Sequence, residues 1–413
     1  MSHGLQFLEV RERFLPVKQS VLCARMLRDP RLSAEERQQL GRLFEMVAAR
    51  FHYESRAKLE RLKTLYGPFD PDAEPLLGSE PPVDETAQRE ELGQAFEQLL
   101  LDANYVEMPR EQIVECAGYQ SQAGLVVEAS LEDYAELRVF YRGMRHEQRT
   151  FRPWLTPWKR TAETIHVLSR LAVMVRLARE PSRPVFIKLF KNVVAEDLEM
   201  LLPYVQIRMR VLDHLKIGSS VLGGVATALW KVVTAAFLST WVFVLVMGGF
   251  ATALVRGVFS FQSSKTRYMQ ALSSSLYFRS LANNSSALAH LVDAAEDEEC
   301  KELLAAYYVL YVERDRDYTQ EQLDRRVEEW LRSEFGADVD FEVCDAGRML
   351  DDKGLMVRRA ASGAPEAVLK VYDLPSALRR LDETWDGYYS DNGTRSAKDD
   401  RPADGRSCKR QAS

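Results

Sequence analysis

Cysteine is scarce: there are five in 413 residues, Cys23, Cys116, Cys300, Cys344 and Cys408. They are scattered, odd in number and form no Cys-x-x-Cys, which argues against a disulfide framework or a zinc site and fits a reducing compartment. No Gly-x-Gly-x-x-Gly follows a strand-like stretch and no Gly-Lys-Ser/Thr phosphate loop occurs, so nucleotide binding has no motif to stand on. Asp70-Pro71-Asp72 lacks the rest of a calcium loop. Near the N-terminus Glu9 and Glu12 interrupt any apolar stretch before Pro16, so neither a signal peptide nor a presequence is expected. No nucleophile, base and orienting group stand together in the sequence, and no cofactor is indicated. A net charge of −6 speaks against a general binder of nucleic acid or anionic lipid, while leaving room for local patches.

What the sequence does have is one long apolar block, 217–261. Between Ile217 and Val255 the only formal charge is Lys231, and 232–255 is an uninterrupted run of 24 uncharged residues. A spanning helix needs about 20 apolar residues, whereas a soluble helix of that length carries a polar face. Basic residues lie on both flanks, Arg208, Arg210 and Lys216 before the block and Arg256, Lys265 and Arg267 after it. By the positive-inside rule this predicts a two-helix hairpin with both ends cytoplasmic, as in an inner-membrane protein. The first arm, counted to Trp230, would reach only about 21 Å and must run on past Lys231. That lysine then sits at the far interface with Trp230 and Trp241 as anchors, and the turn falls near 235–240. Gly224 with Ala228, and Gly249 with Ala253, offer small-residue faces for packing.

The remainder reads as α+β. Ser33 to Glu36 spells a capping box for a long amphipathic helix carrying Leu40, Leu43, Phe44, Val47, Phe51, Leu59, Leu62 and Leu65. His52 lies on it with no partner at metal spacing. A linker with five prolines covers 67–86. An antiparallel α+β domain is expected over 87–216, with a helix at 90–102, a strand at 105–108, a helix opened by Pro109, and strands at 125–128, 136–141, 164–177 and 185–190. Its most distinctive stretch is VFIKLFKNVVAEDLEMLLP, 185–203. There a strand would end in Lys188, Lys191 and Asn192 before a helix carrying Glu196, Asp197 and Glu199. Lys188, Lys191, Asn192 and Asp197 are candidates for a partner or headgroup surface, against a structural strand end meeting a helix N-terminus.

That run, together with Tyr141-Arg142-Gly143, LDHLKIG at 212–218, YFRSLANN at 277–284 and DAAEDEE at 293–299, resembles the transmembrane protein 143-like family, a membrane family of unknown function. The resemblance extends over about 14–389. It implies a two-helix membrane protein and carries no catalytic residues. One departure is Val194, where the family pattern has a proline.

After the block, a juxtamembrane helix is expected over 262–300, interrupted at Asn283 and Asn284. His290, Asp293, Glu296 and Asp297 share a helical face and are of metal-ligating type. A paired motif on a second helix, which a two-metal site would want, is missing, so a solvated acidic face competes with that reading. The segment 301–390 reads as helix, helix, helix, two strands and a closing helix, the order of a winged helix. Thr319 caps the second helix and Gly336 ends it. Acids at Asp338, Asp340, Glu342, Asp345, Asp351 and Asp352 outnumber Arg348 and Lys353 around the third helix, which disfavours nucleic acid. Arg358, Arg359 and Lys370 in the wing leave it a narrow opening. The segments are thus 1–86, 87–216, 217–261, 262–300, 301–390 and a disordered tail at 391–413. The function expected is a non-enzymatic, membrane-tethered adaptor or scaffold, with the lipid bilayer and a protein, or a second copy of the chain, as partners. The alternatives are a metal-dependent membrane enzyme and an oligomeric transporter or channel subunit.

Overall fold

The structure, a computed structural model, describes residues 11–73, 84–117, 125–128, 133–151, 161–178, 184–195, 206–209, 277–341, 343–359 and 368–387, with a few single positions between them. In chain order the elements are α1 (Gln19–Met26), α2 (Ala34–Tyr66), a short 3-10 turn (Gly67–Phe69), α3 (Glu85–Asp102), β1 (Val106–Glu107), α4 (Arg110–Ala117), β2 (Leu125–Glu128), β3 (Tyr134–Phe151), β4 (Thr161–Leu177), β5 (Val185–Val194), β6 (Gln206–Met209), β7 (Ser280–Asn283), α5 (Asn284–Val312), α6 (Gln320–Phe335), α7 (Val343–Asp352), β8 (Met356–Arg359), β9 (Val368–Val371) and α8 (Leu374–Gly387). They form two compact units, a sheet unit within 107–283 and a helical unit built from the described parts of 7–106 and 284–413. The class is mixed α+β with an antiparallel sheet, as the sequence suggests. The hairpin expected over 217–261 is not among the described elements. That block, with Trp230, Lys231 and Trp241, lies outside the described residues apart from Thr252 and Val255. Among the described residues no helix is long and apolar enough to cross a membrane.

The sheet unit carries five strands in the order β1, β3, β4, β5, β7. β3 and β4 form a long antiparallel hairpin, in register from Glu136 opposite Arg176 to Phe151 opposite Thr161. β5 pairs only with Val167 to Arg176 of β4, so the far end of the hairpin is a two-stranded ribbon. The central strands are rich in β-branched and large apolar residues buried on both faces, among them Val139, Phe140, Tyr141, Leu171, Val173, Met174, Ile187 and Leu189. Two strands run past the ends that the sequence suggests. β3 continues through Gly143, and β5 continues through Lys191 and Asn192 to Val194. Gly143 (φ 73°) and Asn192 (φ 50°) adopt left-handed backbone there, which these two residue types tolerate. By register both lie level with Ser169 of β4, one on each side, and pairing resumes unshifted beyond them.

The helical unit is organised around α5. From Cys300 to Tyr311 every residue of α5 is buried, the signature of a helix packed on all sides. Its polar tips are each satisfied. Lys301 donates to the Leu15 and Val17 carbonyls and to Glu298, Glu302 accepts from Asn104, Tyr307 donates to the Tyr372 carbonyl, and Tyr311 donates to Glu36. The apolar stripe of α2 (Leu40, Leu43, Phe44, Val47, Phe51) belongs to the same core as Leu303, Leu310, Trp330, Leu350 and Leu381. Segments 1–86 and 301–390, separate in the sequence, therefore share one hydrophobic core, to which Leu15, Leu22, Met26 and Leu32 also belong. The capping box closes as expected. Ser33 Oγ accepts from the Glu36 N–H and the Glu36 carboxylate from the Ser33 N–H. Thr319 and Gln322 repeat the device on α6, which ends at left-handed Gly336.

Candidate functional site

The acidic face of α5 is spent on its neighbours. Glu296 meets His52 of α2 at 3.2 Å and Asp297 meets Lys301 at 2.9 Å. Glu298 holds both Lys301 and the Leu15 N–H, and Glu299 faces Lys58 at 3.4 Å. His290 and Asp293 are exposed. Of the four residues of metal-ligating type, Glu296 and Asp297 thus turn to different partners while His290 and Asp293 face solvent, and among the described residues no group of three or more His, Cys, Asp or Glu could hold a metal ion. His52, with no partner legible in the sequence, finds one 244 residues away.

Other charges in this unit are paired in the same way. Lys353 packs over the Phe51 ring at 4.5 Å and pairs with Glu54. Burial pulls its pKa down and the Glu54 carboxylate opposes that. Glu313 collects Arg326 at 2.6 Å, Arg316 at 3.4 Å, Arg31 at 3.6 Å and the Tyr318 hydroxyl. Burial pushes its carboxyl up, but hydrogen bonds from Arg326 and Tyr318 outweigh it and leave the pKa at about 2. Lys370 of the wing bonds the Arg314 and Arg316 carbonyls and pairs with Asp317 at 2.8 Å, so it is not held out towards a phosphate. The side chains of Arg358 and Arg359, and Glu342, lie outside the described residues.

The sheet unit holds ion pairs too, Arg138 with Glu107 at 3.1 Å and Arg176 with Glu136 at 3.7 Å, but it also sets cations beside one another. Lys188 and Lys191, three residues apart on a regular strand, point to opposite faces. Lys188 lies in register with Val173 on one side and Asn283 on the other. Lys191 lies opposite Arg170, which lies opposite Arg142. Three strands therefore set three cations side by side on one face. Asn192 belongs to the other face, where its side-chain oxygen accepts from Arg145 at 2.8 Å. Asp197 lies outside the described residues. The expected surface of Lys188, Lys191, Asn192 and Asp197 is thus divided between two faces, and Arg142 and Arg170 join Lys191 instead. One signal could have found them. In each strand a lone cation is flanked two residues away on both sides by apolar residues: Phe140 and Met144, Leu168 and Ala172, Leu189 and Val193.

A family described as "Protein of unknown function (DUF3754)" matches residues 134–286. That span begins at the first residue of β3 and ends in the first turn of α5, so it holds the central strands, the cationic row and the apolar run. No solved structure matches the chain.

Proposed function

We propose that the chain is a membrane-anchored adaptor related to the transmembrane protein 143-like proteins. The 217–261 block forms a two-armed hairpin, and both units lie on its cytoplasmic side. One observation carries this reading. β5 and β7, which precede and follow the block, are antiparallel neighbours, with Lys188 opposite Asn283 and Leu189 opposite Ala282. Two strands that share hydrogen bonds occupy one aqueous compartment, so an apolar segment between them must cross an even number of times. The core shared by α2 and α5 imposes the same condition on the helical unit.

The adaptor surface is assigned to the C-terminal part of the helical unit. The order α6, α7, β8, β9, α8 supports a winged-helix-like module, and the engagement of Lys370 and the acids around α7 favour a protein partner over nucleic acid.

The test is topology, read with reporter fusions at Gly4, Ser239 and Ser390 and with alkaline extraction of membranes. Cytoplasmic signals at both ends with an external signal at Ser239 are expected. An internal signal at Ser239, or complete release by alkali, would sink the anchor.

A further inference from the structure

We propose that His146 and His166, which face one another across β3 and β4, form a two-histidine site for a divalent transition metal ion such as zinc, and that the ion clamps the outer part of the hairpin. The site lies wholly within the sheet unit and does not depend on the membrane-anchored reading above.

The register pairs His146 with His166, so both side chains leave the same face of the sheet from directly opposite positions, where Cβ atoms lie about 4.5–5.5 Å apart. Their ring centres are 5.0 Å apart and their planes 78° from parallel. Two imidazoles on one tetrahedral ion, each with a nitrogen about 2.0 Å from the metal, hold their ring centres about 5 Å apart. The pair therefore already has the spacing of a bound one. His146 is exposed and His166 half-buried, so the His146 ring can turn to bring a nitrogen round while His166 stays in place. Each ring gives one nitrogen to the metal and keeps the other for a hydrogen bond, the usual state of a bound histidine. Water fills the remaining positions, as in sites open to exchange.

The adjoining pairs decide the class of ion. On the same face, Met144 stands opposite Leu168 and Gln148 opposite Thr164. Two nitrogens with no carboxylate at the adjoining positions of that face suit zinc, nickel or copper(II), whereas magnesium and calcium want oxygen. The cations of the Arg142 row lie four residues along the face, about 13 Å away, beyond a Debye length at physiological salt.

The place of the pair gives the ion its role. β5 ends at Val194 opposite Val167, and His166 is the next residue of β4 outward. From there to Phe151 opposite Thr161 the hairpin has two strands only, among the described residues, and a two-stranded hairpin is marginal in water. An ion held by one ligand from each strand binds only while the strands are paired, so it stabilises the paired ribbon.

The experiment titrates the full, tag-free chain, in a mild nonionic detergent, with zinc chloride and with magnesium chloride by isothermal calorimetry, and compares H146Q, H166Q and H290Q. Zinc should bind at least about tenfold more tightly than magnesium. H146Q and H166Q should each lose about tenfold or more of the zinc affinity, since changes even outside a ligand set cost about 10–100-fold, and H290Q should keep it. Hydrogen exchange read by mass spectrometry should slow at 147–151 and 161–165 when zinc is added to wild type, and not when it is added to H146Q. Zinc affinity unchanged in H146Q, which alters an exposed side chain, would overturn the site, and so would equal affinity for zinc and magnesium. Loss in H146Q with full affinity in H166Q would overturn the chelate. Zinc bound through both histidines with exchange unchanged would overturn the clamp.

Discussion

The two units differ in how they place their charges, although both hold ion pairs, such as Arg138 with Glu107 and Arg176 with Glu136 in the sheet unit. In the helical unit buried ions come in neutralised sets: Lys301 with Glu298, Glu313 with Arg326, and Lys353 with Glu54. In the sheet unit, cations are lined up beside one another across three strands. The first arrangement specifies how helices meet, since a buried pair broken on one side is worse than no pair. The second sets like charges opposite one another, which costs stability where no counter-charge meets them. Composition cannot separate them, because both units draw on the same arginines, lysines and acids.

The comparison predicts a graded series of effects. Glu298→Ala leaves the buried Lys301 ammonium with the more exposed Asp297 as its remaining carboxylate and frees the Leu15 N–H, and should cost about 3 kcal/mol in urea unfolding. A loss below about 1 kcal/mol would put this pair in the same class as a surface bridge. Next comes acid. The folded pKa of Glu313, about 2, is below its ordinary 4.5. The stability it contributes is therefore complete above about pH 4.5 and is lost as the pH falls towards 2. Glu313→Gln should flatten the stability curve across that window, and an unchanged curve would assign acid unfolding elsewhere. Ser33→Ala opens the capping box of α2 and should cost about 1 kcal/mol, again by urea unfolding. Glu296→Ala removes an ion pair whose histidine is exposed, so a change of about 0–1 kcal/mol is expected. Metal analysis of the purified protein should show no difference from wild type, and metal lost on this substitution would revive the metal reading of α5. Smallest of all, R170Q/K191Q should leave stability unchanged, or raised by up to about 1 kcal/mol as repulsion is relieved. A marked loss would show that the row serves the fold after all.

Much of the local structure was legible before the fold. Ser33 with Glu36 and Thr319 with Gln322 mark their helix starts because a cap is a bargain struck within four residues. The strands at 125–128 and from 185 are plain from their β-branched and apolar content. What was hidden depends on distance along the chain. The polar ribbon of β3, from Met144 to Thr150, carries no apolar alternation, since it is held by Ile165 to Leu168 and their neighbours across the hairpin rather than by a core. Lys191 and Asn192 look like a strand end because charge and a left-handed backbone usually mark one. Arg142, Arg170 and Lys191 become neighbours only when the register of two hairpins is known. Likewise His290, Asp293, Glu296 and Asp297 share one helical face in the sequence, while the fold sends Glu296 to His52 and Asp297 to Lys301.

The pairing of α2 with α5 also sets a timetable for synthesis. His52 and Glu296 are 244 residues apart, and at 5–20 residues per second the ribosome needs about 12–50 s to travel between them. For that interval Leu40, Leu43, Phe44, Val47 and Phe51 have been made and α5 has not. Nascent chains stalled before residue 284 carry this stripe without the α5 surface that completes its core, so aggregation of this protein would begin with its first seventy residues.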